Sequence, residues 1–70
     1  MTIGQRINQA RIERGLTIDK LAEIANISRN TIVSWIYRDI HPDIDYLIVV
    51  ADVFGMTLDE LVGRKVAKDG

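Results

Sequence analysis

LAEIANISRNTIVSW, residues 21–35, carries two helical half-patterns joined at an asparagine. Leu21, Ala22 and Ala25 recur at helical spacing before Asn26, and Ile32, Trp35 and Ile36 do so after it. Helices joined by so short a link must cross closely, and that crossing has three requirements. A small side chain must sit where the axes approach, and Ala22 supplies it. The turn residue must tolerate positive φ, where Asn is the usual second choice after Gly. Apolar anchors must hold the second helix on the first at a steep angle; Ile27, Ile32 and Trp35 are placed to do so.

Outward from this corner, start and stop signals alternate along the whole chain. Thr2 with Gln5, and Thr57 with Glu60, fit the capping box; Thr17, Ser28 and Asp43 are further N-cap candidates. The pairs Leu16/Leu21, Ile27/Ile32 and Met56/Leu61 have hydrophobic-staple spacing. Gly15, Asn26, the Asp39–Pro42 segment, Gly55 and Gly63 are stops. These signals predict an all-α chain of helices over 2–14, 18–25, 29–37, 44–54 and 58–62. Ile3, Ile7 and Ala10 supply the apolar face of the first, and Ile44, Leu47, Ile48, Ala51 and Phe54 that of the fourth. The fourth is apolar almost all round and is expected to be central. Residues 1–63 read as one domain and 64–70 as a tail that frays or extends the last helix.

Composition narrows the function. Seventy residues make one domain, and 47 % apolar content suffices for a compact helical core. The absence of cysteine removes disulfides and thiolate metal sites. The longest apolar run, Leu47–Ala51, is far below the roughly 18 residues of a membrane span, and the first residues lack the apolar segment of a signal peptide. A cytoplasmic protein is expected. The net charge is −1, but residues 1–38 hold six basic against three acidic residues, +3, and residues 39–70 three against seven, −4. Such a two-ended molecule would orient its first half toward a polyanion; chance asymmetry on a solvated surface is the competing account.

The stretches IGQRINQARIERGLT, LAEIANISRNTIVSW and HPDIDYLIVVADVFGMTLDELV resemble the phage-repressor and Cro-like (XRE) helix-turn-helix domains over residues 3–62. The resemblance implies a five-helix lambda-repressor-like fold that binds double-stranded DNA, commonly as a dimer. In such domains the helix starting near residue 29 enters the major groove. Carried over by position, Arg29, Asn30, Ser34 and Val33 are the base-reading candidates. Arginine can bond guanine O6 and N7, asparagine adenine N6 and N7, and valine can meet a thymine methyl. Phosphate contacts are expected from Thr17 and Ile18 at the open end of the second helix, from Ser28, which can also cap the third, and from Arg11, Lys20 and Arg38. Ordinary surface solubility is the alternative account of each cation. His41, beside Pro42, is read as solvated, and Trp35 as core.

Two positions depart from the family pattern. Ile18 replaces a glutamine that bonds phosphate. Ile36 replaces a glutamate that pairs with the helix-one arginine, so Arg11 must find solvent or another acid. The connection Arg38–His41 also holds one definite cation where relatives are often richer in Lys and Arg. These departures predict weak or strongly salt-sensitive binding. Ile12, Ile24, Ile40 and Val49 are apolar where relatives tend to be polar; if they coalesce they would form a protein contact. The segment before the fourth helix, with the fifth, is the expected two-fold dimer surface.

Three function classes follow: a repressor-type DNA-binding regulator, a protein-interaction module that keeps the fold without DNA binding, and an enzyme. The last is disfavoured, because without Cys and with a single loop His no nucleophile–base pair is visible. Asp43/Asp45 and Asp59/Glu60 suit helix starts better than metal ligation. No cofactor, metal or small-molecule ligand is expected.

Overall fold

The computed structural model describes residues 1–63; the expected tail lies outside the described residues. Five helices are present: α1 (Ile3–Glu13), α2 (Ile18–Ala25), α3 (Arg29–Tyr37), α4 (Ile44–Phe54) and α5 (Leu58–Val62). Their bounds agree with the cap-and-stop reading to within a residue at each end. The all-α expectation holds, with no strand among the described residues.

Local chemistry sets most of these ends. Thr2 and Thr57 form complete capping boxes with Gln5 and Glu60, and the Thr17 hydroxyl accepts from the Lys20 N–H. Ser28 and Asp43 start α3 and α4 without any side-chain cap bond, so the expected capping by these two residues is corrected. The ends α1 to α4 use one device. The residue after the turn returns its N–H to a carbonyl in the last helical turn: Leu16 to Arg11, Ile27 to Ala22, Ile40 to Ser34 and Met56 to Ala51. The residue before it has positive φ, at Gly15, Asn26, Asp39 and Gly55.

Asn26 is the instance inside the corner, at φ 57 and ψ 45. That conformation costs an ordinary L-residue about 1–2 kcal/mol. We expect Asn26→Ala to lower unfolding free energy by about 1 kcal/mol and Asn26→Gly to be near neutral, read from urea midpoints at constant m-value. Equal losses in both variants would show that the asparagine side chain, not the backbone, is what matters there.

The core gathers Ile7, Ala10, Leu21, Ala25, Ile27, Ile32, Trp35, Ile36, Leu47, Val50, Ala51, Phe54 and Leu61. Trp35 is 2 % exposed, as expected, and its ring meets Tyr46 at a centroid distance of 5.5 Å. The expectation for α4 needs correction. It packs against α1, α2 and α5, as α1 packs against α3, α4 and α5, and it is no more central than α1. It buries Leu47, Val50, Ala51 and Phe54 but leaves Ile44 58 % and Ile48 44 % exposed. An 11-residue helix apolar on every side offers more surface than its three neighbours can cover.

Arginines at the end of α1 tie the elements together. Arg14 donates from Nε to the Phe54 carbonyl at 3.1 Å and from Nη1 to the Ala10 carbonyl at 3.0 Å, with its guanidinium 5.1 Å from the Phe54 ring centroid. One cation thereby serves the carbonyl ends of both α1 and α4, where the helix dipole favours positive charge.

Candidate nucleic-acid interface

The αL turn at Asn26 aims the start of α3 away from the body. The second half of α3 buries Ile32, Trp35 and Ile36, while Ser28, Arg29 and Asn30 remain exposed. Burial beneath another element, which would have removed these polar groups from any duplex, does not occur. Asn30 makes no side-chain hydrogen bond among the described residues, so both faces of its amide are available. Val33 and Ser34 are half-buried one turn further on. The Ser34 hydroxyl donates to the Thr31 carbonyl at 2.7 Å, which leaves its oxygen as an acceptor.

Arg29 is the exception among the exposed groups. Its Nε donates to Asp19 Oδ1 at 2.6 Å, linking the first turns of α3 and α2, with side chains 58 % and 77 % exposed. The spacing along the sequence gives no sign of this partner. The residues lie ten apart, a separation that no helical or hairpin rule links. Only the crossing of α2 and α3 brings them together.

Beside this pair lies the start of α2. Lys20 and Leu21 send their N–H groups to the Thr17 hydroxyl and carbonyl, while those of Ile18 and Asp19 have no acceptor among the described residues. Two free N–H groups at the positive end of an 8-residue helix suit a phosphate oxygen. The Ile18 side chain packs toward the core, so at this position the backbone alone faces an anion.

The remaining cations differ in availability. Arg11 resolves the missing-partner problem without an acid: Nη2 and Nε donate to Asn8 Oδ1 at 2.6 and 3.2 Å, and Nη1 to the Leu16 carbonyl at 2.6 Å. Those bonds brace the α1–α2 connection and engage much of the guanidinium. Lys20 sits 3.6 Å from Glu23, both exposed. Arg38, at the end of α3, is exposed and has no ion-pair or hydrogen-bond partner among the described residues. His41 bonds the Pro42 carbonyl through Nδ1 at 2.9 Å.

Among the described residues no group of His, Asp and Glu is arranged to hold a metal ion. No described helix is long and apolar enough to cross a membrane.

Comparison with known proteins places this geometry among others of its kind. A family model described as Helix-turn-helix matches residues 7–61. The chain is similar to an immunity repressor protein of Bacillus phage phi105, 42 % identical over 66 residues covering 93 % of the chain and 45 % of that protein. It is also similar to the HTH-type transcriptional regulator ImmR of Bacillus subtilis (strain 168), 33 % identical over 66 residues covering 91 % and 50 %. The chain thus spans about half the length of these relatives. Among solved structures it superposes with TM-score 0.80 on the biofilm regulator SinR in complex with DNA, at 33 % identity, covering 86 % of this chain and 97 % of that one. A SinR/SinI complex matches with TM-score 0.79 at 35 % identity, covering 87 % and 60 %.

Proposed function

This chain belongs to the helix-turn-helix family, and from that premise we propose that it is a sequence-specific double-stranded DNA-binding regulator of the repressor type. The observation that carries the reading is the exposed start of α3, with Asn30 open and Arg29 held against Asp19 at the start of α2, whose first N–H groups have no acceptor among the described residues. A helix laid into the major groove by its first turn would bring Arg29, Asn30, Ser34 and Val33 to base edges. Ser28, Thr17, the Ile18 backbone, Lys20 and Arg38 would then face phosphates, with Arg11 a lesser contributor because its donors are already engaged. The similarity to SinR solved with DNA, and to two bacterial and phage regulators, supports the same assignment over a protein-interaction module.

The regulator acts in the cytoplasm and on DNA as a homodimer, with two recognition helices about 34 Å apart to match one turn of duplex. Exposed Ile40, Ile44 and Ile48, before and along α4, supply apolar surface for that association.

Selection of bound duplexes from a random DNA pool tests the function. One enriched motif, with affinity falling linearly in log salt, is expected. Absence of binding at low salt would overturn the reading. Within the same assay Arg38→Ala should weaken every sequence alike, by about two- to fivefold, and reduce the salt slope by about one phosphate. A change of preferred sequence in this variant would move Arg38 from the phosphates to the bases.

A further inference from the structure

We propose that Asp19 is a positioning residue for DNA recognition, holding the Arg29 guanidinium so that its Nη1–Nη2 edge faces a guanine. The inference rests on the DNA-binding reading and deepens it by assigning a specificity role to an acidic side chain. The contact uses Arg29 Nε and one carboxylate oxygen at 2.6 Å. Guanidinium has two edges that can serve an acceptor pair, and anchoring Nε disables one. The remaining edge carries two parallel N–H donors, the fork that matches guanine O6 and N7. Neither Nη atom has another partner among the described residues.

Fold stability does not account for the pair. Both groups are more than half exposed, and an exposed ion pair of this kind contributes little in water. Its value changes when a duplex covers it, because excluding water strengthens the interaction. A tethered arginine also loses fewer rotamers on docking than a free one. The charge balance explains how an acid can sit at the proposed DNA face. Alone, Asp19 would repel a phosphate approaching the free N–H groups of Ile18 and its own backbone. Paired with Arg29 it presents no net charge there.

Two opposite effects then follow from one substitution. Asp19→Ala should raise affinity for random-sequence duplex, by up to about fivefold, because a negative charge leaves the interface. It should also reduce the preference for guanine at the base facing Arg29 by roughly three- to tenfold. Asp19→Asn keeps an acceptor oxygen for Nε and should retain more of that preference than Asp19→Ala. In an Arg29→Lys background, where no fork exists to orient, Asp19→Ala should leave base preference unchanged.

The measurement is fluorescence-anisotropy titration of the selected duplex, its single-base variants and a random duplex with each protein. Circular dichroism melts confirm that the variants stay folded. A wild-type protein that selects a site, with Asp19→Ala showing the same guanine preference, overturns the proposal alone. So does an equal change in the Arg29→Lys background. Wild-type binding without any base preference overturns the DNA-recognition reading and this proposal together.

Discussion

Replacing Gly4 by alanine will collapse the stability of this domain, although helix propensity alone says the reverse. Gly4 lies in the first turn of α1, where Ala would be favoured over Gly by up to about 1 kcal/mol. In the fold, however, α1 rests on the end of α3 at this residue. A Cβ on Gly4 would overlap the Trp35 carbonyl oxygen, lie 2.6 Å from the Trp35 carbonyl carbon and reach 3.2 Å from the Ile36 nitrogen. These are backbone atoms and cannot rotate aside, so α1 and α3 must separate. Overpacking commonly costs 1–3 kcal/mol and more where the obstacle is rigid, so a loss of about 3 kcal/mol or more is expected. A domain of this length holds roughly 3–10 kcal/mol in all, which translates into a Tm fall of about 12 °C or more. A thermal melt of Gly4→Ala at or above the wild-type Tm would show that the α1–α3 approach is not as close as described.

The second large effect concerns recognition. Substituting Arg29 by alanine should erase the strongest base preference in the selected site, a loss of about 1–3 kcal/mol of discrimination, or ten- to a hundredfold. Alanine also leaves Asp19 unpaired at the proposed interface, which should weaken binding to any sequence. Arg29→Lys separates the two contributions. It keeps the positive charge beside Asp19 but cannot present two parallel donors, so affinity for random duplex should hold within about twofold while discrimination still drops about tenfold. Repeating the random-pool selection with both variants reads this directly. If Arg29→Lys enriches the same motif with the same stringency as wild type, Arg29 contributes charge alone and the reader must be sought at Asn30 or beyond.

These two residues mark where legibility stopped. The helices could be read because each carries its own punctuation: Thr2, Thr17 and Thr57 bond within their own first turns, and Asn26 and Gly55 turn the chain within theirs. Ser28 and Asp43 looked equivalent but make no side-chain cap bond in the fold, since N-cap residue type permits a cap without compelling it. The exposure of Arg29 and Asn30 was foreseeable from the apolar stripe of Ile32, Trp35 and Ile36, which buries the later part of α3.

Partner choices were not foreseeable. Arg11 was read as lacking its acid, and the fold supplies Asn8 and a carbonyl in its place. Arg14 crosses to Phe54, 40 residues away. Apolar spacing in α4 marked Ile44 and Ile48 as core candidates, yet both face outward. A helix apolar on all sides does not encode which side its neighbours will cover.

The sequence by itself determined where each helix begins and ends and which part of α3 stands free, because capping, left-handed turns and apolar periodicity act over four or five residues. Tertiary structure alone decided that Gly4 must lack a side chain and that Asp19 meets Arg29. Both depend on where separate helices cross, and a crossing point is set by the packing of the whole core rather than by any spacing along the chain.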